Sequence, residues 1–194
     1  MKSPTQGSQP ASREGGAVAA GLTGYVTAPG FEAALLRELG KLDGPRWPSL
    51  LTSRSTLQTS RARSDSSFDP AFALQIIPSA QQVRGESVRD LVVAADAALA
   101  DVLGGSDGPL VVHSYVPDSA AYRTVAGRAA LLGTSFVDHL REHRRRVSRR
   151  IVAQPTDAAF REATLVQLVL VGRTSLLISA ARPRSLATGG VDLA

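Results

Sequence analysis

Apolar residues recur along this chain in two different periods, and the switches between them set the expected order of elements. Leu22 to Ala28 reads as a short strand, Pro29-Gly30 as a turn, and Phe31 to Leu39 as a helix with Phe31, Leu35, Leu36 and Leu39 on one face. Gly40 suits the C-terminal cap of that helix. A second strand is expected over Trp47 to Thr52, and the Ser/Thr/Arg-rich residues 53–67, which carry no apolar period, read as a loop or poorly paired hairpin at a subdomain boundary. Residues 1–20, rich in Ser, Gly, Pro and Gln, read as a disordered leader. They lack the long apolar stretch of a secretory signal.

Phe72 to Ile77 is expected to be a strand ended by Pro78. Ser87 and Asp90 then form a capping box for a helix whose apolar stripe is Val88, Leu91, Val92, Ala95, Leu99 and Val102, with Gly104-Gly105 as its stop. Leu110 to Val116 reads as a strand. The long segment after it reads as one helix with Phe136, Leu140, His143, Val147 and Ile151 at spacings of three and four. Thr164 to Val171 and Ser175 to Ala181, on either side of Gly172-Arg173, read as a hairpin. From residue 70 the order is therefore βαβαββ, which favours an α+β layer with helices on one face of a sheet over a doubly wound parallel sheet.

The chain has 194 residues, enough for one ordinary domain or two small ones, and no cysteine. Disulfides, thiolate catalysis, iron–sulfur clusters and Cys-ligated zinc are excluded together, and a reducing cytoplasm is the expected location. No apolar run is long enough for a membrane span, so no membrane partner is expected. The net charge of +5 is unevenly spread: residues 1–120 hold 10 basic and 12 acidic side chains, residues 121–194 hold 12 and 5.

Most catalytic chemistry finds no support. The glycine pairs at Gly15-Gly16, Gly104-Gly105 and Gly189-Gly190 fall in a leader, a helix stop and a tail, so no strand, glycine-rich turn and helix are available to hold a nucleotide or S-adenosylmethionine. His139, Glu142 and His143 spell H-x-x-E-H, the inverted zinc-protease pattern. Glu162 is the one downstream carboxylate suited to a third ligand, and Arg141, Arg144, Arg145 and Arg146 crowd the place where a dication would sit. No metal is expected, and His143, on the apolar stripe, reads as a half-buried helix residue. No G-x-S-x-G elbow is present; His113 reads as a structural strand residue and Asp118 as a strand-exit turn residue.

What remains is a basic segment. Between His139 and Arg150 stand Arg141, Arg144, Arg145, Arg146, Arg149 and Arg150, with Glu142 as the only acid, and Arg161, Arg173, Arg182 and Arg184 follow at the strand ends. Two readings are open. The arginines are a solvated helix face whose long side chains cover the surface, or they are a phosphate-binding face that gains affinity by releasing counterions from a nucleic-acid backbone. Few aromatic residues are available for stacking on bases, and several of them fall on expected core faces, so the second reading favours shape and backbone, as in structured RNA.

Tyr25-Val26-Thr27-Ala28-Pro29-Gly30-Phe31-Glu32 resembles the opening P-G-F-E motif of bacterial 23S ribosomal RNA cytidine 2′-O-ribose methyltransferases of the RlmM type. The similarity continues through Phe72-Ala73-Leu74-Gln75, where Leu74 stands at the family's Arg, through Leu110 to Asp118, and through the hairpin followed by Gly189-Gly190. The resemblance implies a ferredoxin-like subdomain over residues 22–66 and a THUMP-like RNA-binding subdomain over 67–192, with helices packed on a mixed sheet. It further implies that the S-adenosylmethionine-dependent catalytic domain lies beyond this chain, so that the chain alone is inactive and holds no cofactor. The expected partners are ribosomal RNA and a separately encoded or truncated methyltransferase domain, with Arg141, Arg144, Arg145, Arg146, Arg149 and Arg150 as the RNA-contacting residues. The alternative is a ferredoxin-like protein-interaction domain with a solvated Arg-rich helix.

Overall fold

The computed structural model describes residues 22–43, 57–60 and 71–182. In chain order these form β1 (Leu22–Val26), α1 (Glu32–Asp43), β2 (Leu57–Ser60), β3 (Gln75–Arg84), α2 (Val88–Gly105), β4 (Leu110–Tyr115), a 3₁₀ turn (Ala120–Val125), α3 (Ala126–His143), α4 (Arg145–Ser148), α5 (Asp157–Glu162), β5 (Thr164–Leu170) and β6 (Ser175–Ala181). The strands form one sheet in the order β2-β1-β3-β6-β5-β4. Only β4 and β5 run parallel; every other neighbouring pair is antiparallel. The protein is therefore an α+β fold with helices packed on a mixed sheet, the class expected from its element order.

β3 holds the two ends of that sheet together. Its first half pairs with β1, from Gln75 to Ala80, and its second half with β6, from Gln81 to Arg84. Within the β1 pairing the register shifts between Ile77 and Ala80, and there Ser79 adopts a positive φ of 50°, a conformation that costs an L-residue of the order of 1 kcal/mol. Pro78 is tolerated at this irregularity because its missing N–H falls where the ladder is interrupted. The Ser179 hydroxyl on β6 donates to the Pro78 carbonyl. Through the bend, β1 and the first half of β3 fold over one face of β5 and β6: Val26, Ile77 and Ala80 pack on Val169 and Leu177, with Tyr115 and Val171 at the edge.

A buried polar group bridges the two layers. The Gln167 side chain on β5 is 3% exposed; its amide donates to the Ile76 carbonyl at 3.2 Å, and its carbonyl accepts from Gln75 Nε2 at 2.6 Å and from the Tyr115 hydroxyl at 3.1 Å. Burial pushes the Tyr115 phenol well above its usual range.

The opposite face of β5 and β6 carries the main core. Leu91, Ala95, Leu99 and Leu103 of α2 and Ala129, Leu132, Phe136 and Leu140 of α3 pack on Val166, Leu168, Leu170, Leu176 and Ile178, as a stripe at spacings of three and four requires. α3 approaches β4 closely at Gly133, where a Cβ would lie 2.9 Å from Ser114 Cβ, and the Ser114 hydroxyl donates to the Ala129 carbonyl at 2.7 Å. α2 begins with the expected capping box: Ser87 Oγ accepts from the Asp90 amide at 3.1 Å and Asp90 Oδ2 from the Ser87 amide at 2.9 Å. α1 packs separately, with Leu35 and Leu39 against Tyr25, Ala73 and Ile76.

Several expectations need correction. Pro78 does not end its strand: β3 passes through it to Arg84, and Phe72 lies in the turn before β3. Within residues 53–67, Leu57–Ser60 is a strand paired with β1. The long helix is broken at Arg144, whose φ of −133° and ψ of 62° separate α3 from the single turn of α4. Ile151 lies beyond both helices and forms a parallel bridge to Leu110 on the β4 edge. Its spacing matched a helix because Val147 and Ile151 are both inward-facing, the first from α4 and the second from the sheet edge. Phe31 and Val102, assigned to apolar stripes, are exposed. The expected leader over 1–20 and the strand over Trp47 to Thr52 lie outside the described residues.

Gln167→Leu keeps the volume of the side chain but leaves the Ile76 carbonyl, Gln75 and the Tyr115 hydroxyl without this partner. The expected result is a loss of about 1–3 kcal/mol in urea unfolding, with Val169→Ala as the comparison for simple loss of packing.

Candidate nucleic-acid interface

The break in the helix divides the six arginines into two groups. Two of them are held by the protein itself. Arg144 sits at the break and turns back onto α2, with Nε 2.5 Å from Asp96 Oδ1. Arg150 reaches under the end of α2, where its guanidinium donates from Nε to the Gly108 carbonyl at 2.7 Å and from Nη1 to the Leu103 carbonyl at 3.0 Å. Those carbonyls lie at and just beyond the last turn of α2, where the helix leaves acceptors unpaired and a cation is favoured. The backbone of the same residue completes the β4 edge, with Leu110 N donating to the Arg150 carbonyl at 2.8 Å.

The other four point outward. Arg141 is exposed and pairs with Asp138 one turn earlier on α3 at 2.9 Å, an exposed contact worth little in water. Arg145, Arg146 and Arg149 are exposed on and just after α4 and form no ion pair among the described residues. α4 presents them because Val147 is buried, which pins the inner side of the turn and leaves its neighbours facing solvent.

Asp96 is the residue that pattern reading missed. It stands 14% exposed on α2 between His139 and Arg144, with Oδ2 3.2 Å from His139 Nε2 and Oδ1 against Arg144. An acid inside the otherwise apolar run Val92-Val93-Ala94-Ala95-Asp96-Ala97-Ala98-Leu99 was the available signal. His139 is thereby tied to Asp96. The His143 ring lies tilted against that of His139, with centroids 4.5 Å apart and planes inclined by 60°, but its side chain is 54% exposed, so the half-buried placement expected for His143 is corrected: the helix ends there, and the stripe does not continue through it. Glu142 lies 3.7 Å from His143.

Glu162 instead lines an open cleft of about 580 Å³ with Asp101, Asp107, Ser106, Thr164 and Arg182. Three carboxylates make this cleft the wrong sign for phosphate. Among the described residues no group of three His, Cys, Asp or Glu side chains is placed to hold a metal ion, and no helix is long and apolar enough to cross a membrane. Arg161 and Arg173 are exposed on α5 and in the β5–β6 turn, and Arg184 lies outside the described residues. Asp118 is exposed on the turn after β4.

No family model and no curated protein matches the chain. Among solved structures it is similar to TrmN from Thermus thermophilus, at 16% identity and a TM-score of 0.50, over 84% of this chain and 46% of that one. The likeness is one of fold. The fold is THUMP-like and α+β. A second similar structure is a predicted N6-adenine-specific DNA methylase from Listeria monocytogenes str. 4b F2365, at 13% identity and a TM-score of 0.46, over 83% of this chain and 40% of that one. The chain spans less than half the length of either solved protein.

His113 lies on β4 and stacks on Tyr115 with ring centroids 4.7 Å apart. Its Nδ1 is buried without a hydrogen-bond partner among the described residues, and burial lowers its pKa below the ordinary 6.5. A lowered folded-state pKa means that the unfolded chain takes up the proton first, so stability is retained above pH 6.5 and falls as the pH drops below it. Urea midpoints measured across that range should decline toward acid in the wild type, and His113→Asn should flatten the decline.

Proposed function

We propose that this chain is the RNA-binding module of an S-adenosylmethionine-dependent methyltransferase that acts on 23S ribosomal RNA, and that Arg141, Arg145, Arg146 and Arg149 contact backbone phosphates of a structured RNA. The observation that carries the reading is the exposed turn of α4: three arginines stand on five residues with no acid among the described residues engaging them, while the neighbouring Arg144 and Arg150 are held by Asp96 and by the end of α2. Guanidinium groups massed this way repel one another, and a polyanion relieves that repulsion. The THUMP-like fold and the P-G-F-E resemblance support the same reading, as the α+β unit that the family carries ahead of its catalytic domain. The ribose specificity and the ribosomal target rest on the resemblance alone.

On this reading Arg144 and Arg150 support the RNA face by fixing the backbone on either side of α4. The division of residues 22–66 and 67–192 into ferredoxin-like and THUMP-like parts belongs to the same proposal, with β3 as the strand that joins them. The chemistry of methyl transfer is assigned to a catalytic domain beyond these residues, and cytoplasmic ribosomal RNA is the partner.

Two measurements test this. In a filter-binding titration against a ribosomal RNA hairpin, Arg145→Gln/Arg146→Gln/Arg149→Gln should weaken binding regardless of sequence and reduce the slope of log K against log salt by about 0.7–0.9 per lost phosphate contact. The triple variant should unfold at the same urea concentration as the wild type, whereas Arg150→Gln should unfold earlier. An unchanged slope in the folded triple variant would assign the arginines to a solvated face and favour a protein-interaction domain. Separately, calorimetry with S-adenosylmethionine should give no binding heat, because the cofactor is assigned to the catalytic domain; micromolar binding would overturn that assignment.

A further inference from the structure

Two phenylalanines that the sequence places 41 positions apart meet on the surface. Phe31, at the start of α1, and Phe72, just before β3, stack with ring centroids 5.8 Å apart and planes inclined by 23°. They are 50% and 40% exposed, and Leu74 beside them is 54% exposed. Large apolar side chains scattered singly on a surface call for no explanation, but a stacked aromatic pair held outward is a different observation.

The backbone under this pair is unusually well fixed. The Glu38 carboxylate accepts from the amides of Ala71 at 2.8 Å and Phe72 at 3.2 Å. The Thr27 hydroxyl donates to the Phe72 carbonyl at 2.7 Å, and Leu74 N donates to the Val26 carbonyl at 2.7 Å. On the other side, Gly30 takes a φ of +92° so that Phe31 N can close a turn onto the Ala28 carbonyl at 3.1 Å. Five hydrogen bonds therefore hold two short segments whose aromatic rings do not enter the core. Arg37 lines a shallow depression of about 320 Å³ beside Phe72, together with Ala34 and Glu38. The Glu38 carboxylate in that depression is already engaged by two backbone amides, so Arg37 is the cation available there.

We propose that Phe31 and Phe72 form a stacking platform for an unpaired RNA base, with Arg37 beside the phosphate of the same nucleotide. The proposal rests on the RNA-binding reading and deepens it: the arginines of α3 and α4 hold backbone without regard to pairing, and the platform requires a base free of its duplex. A planar, π-rich face is what flat exposed rings recognise, every base offers one, and a neighbouring guanidinium adds a charge contact that an apolar protein partner would not use. The pair lies on the α1 layer, apart from α4, so its contribution can be separated from theirs.

The test compares a single-stranded RNA oligonucleotide carrying 2-aminopurine with a blunt duplex of the same sequence. Wild-type protein should quench 2-aminopurine fluorescence in the single strand on binding. Phe31→Leu/Phe72→Leu should remove the quenching and weaken single-strand binding about tenfold, while duplex binding and its salt slope stay as in the wild type. Leucine keeps apolar cover at both positions, and the wild-type quenching reads stacking directly even if the double variant folds poorly. Duplex binding without single-strand quenching would overturn the platform and leave the RNA reading standing. Failure to bind either RNA would remove both. If the double variant instead abolishes concentration-dependent dimerisation seen for the wild type in sedimentation, the patch is a contact between copies and the proposal fails.

Discussion

The bend of β3 at Pro78 and Ser79 is the constraint on which the rest of the architecture depends. Six strands in one flat sheet would leave one broad face uncovered, because α1, α2 and α3 pack on the other. By shifting register at Ser79, β3 carries β1 across the back of β5 and β6 and buries Val26 and Ile77 on Val169 and Leu177. A bulge is a usual way for a sheet to turn on itself. Its cost is the positive φ at Ser79 and the interrupted ladder, and these are offset by Ser179 bonding the Pro78 carbonyl and by Gln167 bonding the Ile76 carbonyl. Polar groups on β5 and β6, Gln167 and Ser179, thus meet the carbonyls that the irregular strand leaves over.

Much of this fold was legible because the main helices and strands follow regular periods. The stripe of α2, its capping box at Ser87 and Asp90, and the β5–β6 hairpin are all local patterns, and local patterns survive folding when the core agrees with them. The errors fall where a long-range partner decides. Pro78 looks like a strand end because proline removes a donor, and nothing local reveals that the donor would be unused at a register shift. Val147 and Ile151 share the helical period of Phe136 and Leu140, yet Ile151 is held by Leu110 on β4. Leu57–Ser60 carries no apolar alternation, and its pairing with β1 is a tertiary outcome.

The candidate site was legible as a composition and not as an arrangement. Counting arginines between residues 139 and 150 found the basic segment but treated its six members alike. The fold separates them by hydrogen bonding: carbonyls of Leu103 and Gly108 take Arg150, Asp96 takes Arg144, and the others stay in solvent. The sequence signal for that separation was Asp96, the one acid within the apolar run Val92 to Leu99, and its two partners lie more than 40 positions away. Phe31 was misplaced for a related reason. The spacing that puts it on the face of Leu35 holds only inside the helix, and α1 begins one residue later, after the Gly30 turn has rotated Phe31 outward.

The two exposed surfaces are built by the same device. At each, an acid on a helix is used up inside the molecule: Asp96 on Arg144 and His139, and Glu38 on the amides of Ala71 and Phe72. An acid placed instead among Arg145, Arg146 and Arg149, or free beside Arg37, would neutralise the cation locally and oppose a polyanion. Committing the carboxylate to an internal partner keeps it from pairing with those cations. Three other carboxylates, Asp101, Asp107 and Glu162, gather in the cleft at the end of α2. The five-charge excess of the whole chain is therefore a poor measure of its surface. What a phosphate backbone meets is set by where the acids stand: Asp138 pairs with Arg141, whereas Arg145, Arg146 and Arg149 form no ion pair among the described residues, and beside Arg37 the Glu38 carboxylate is taken by two backbone amides.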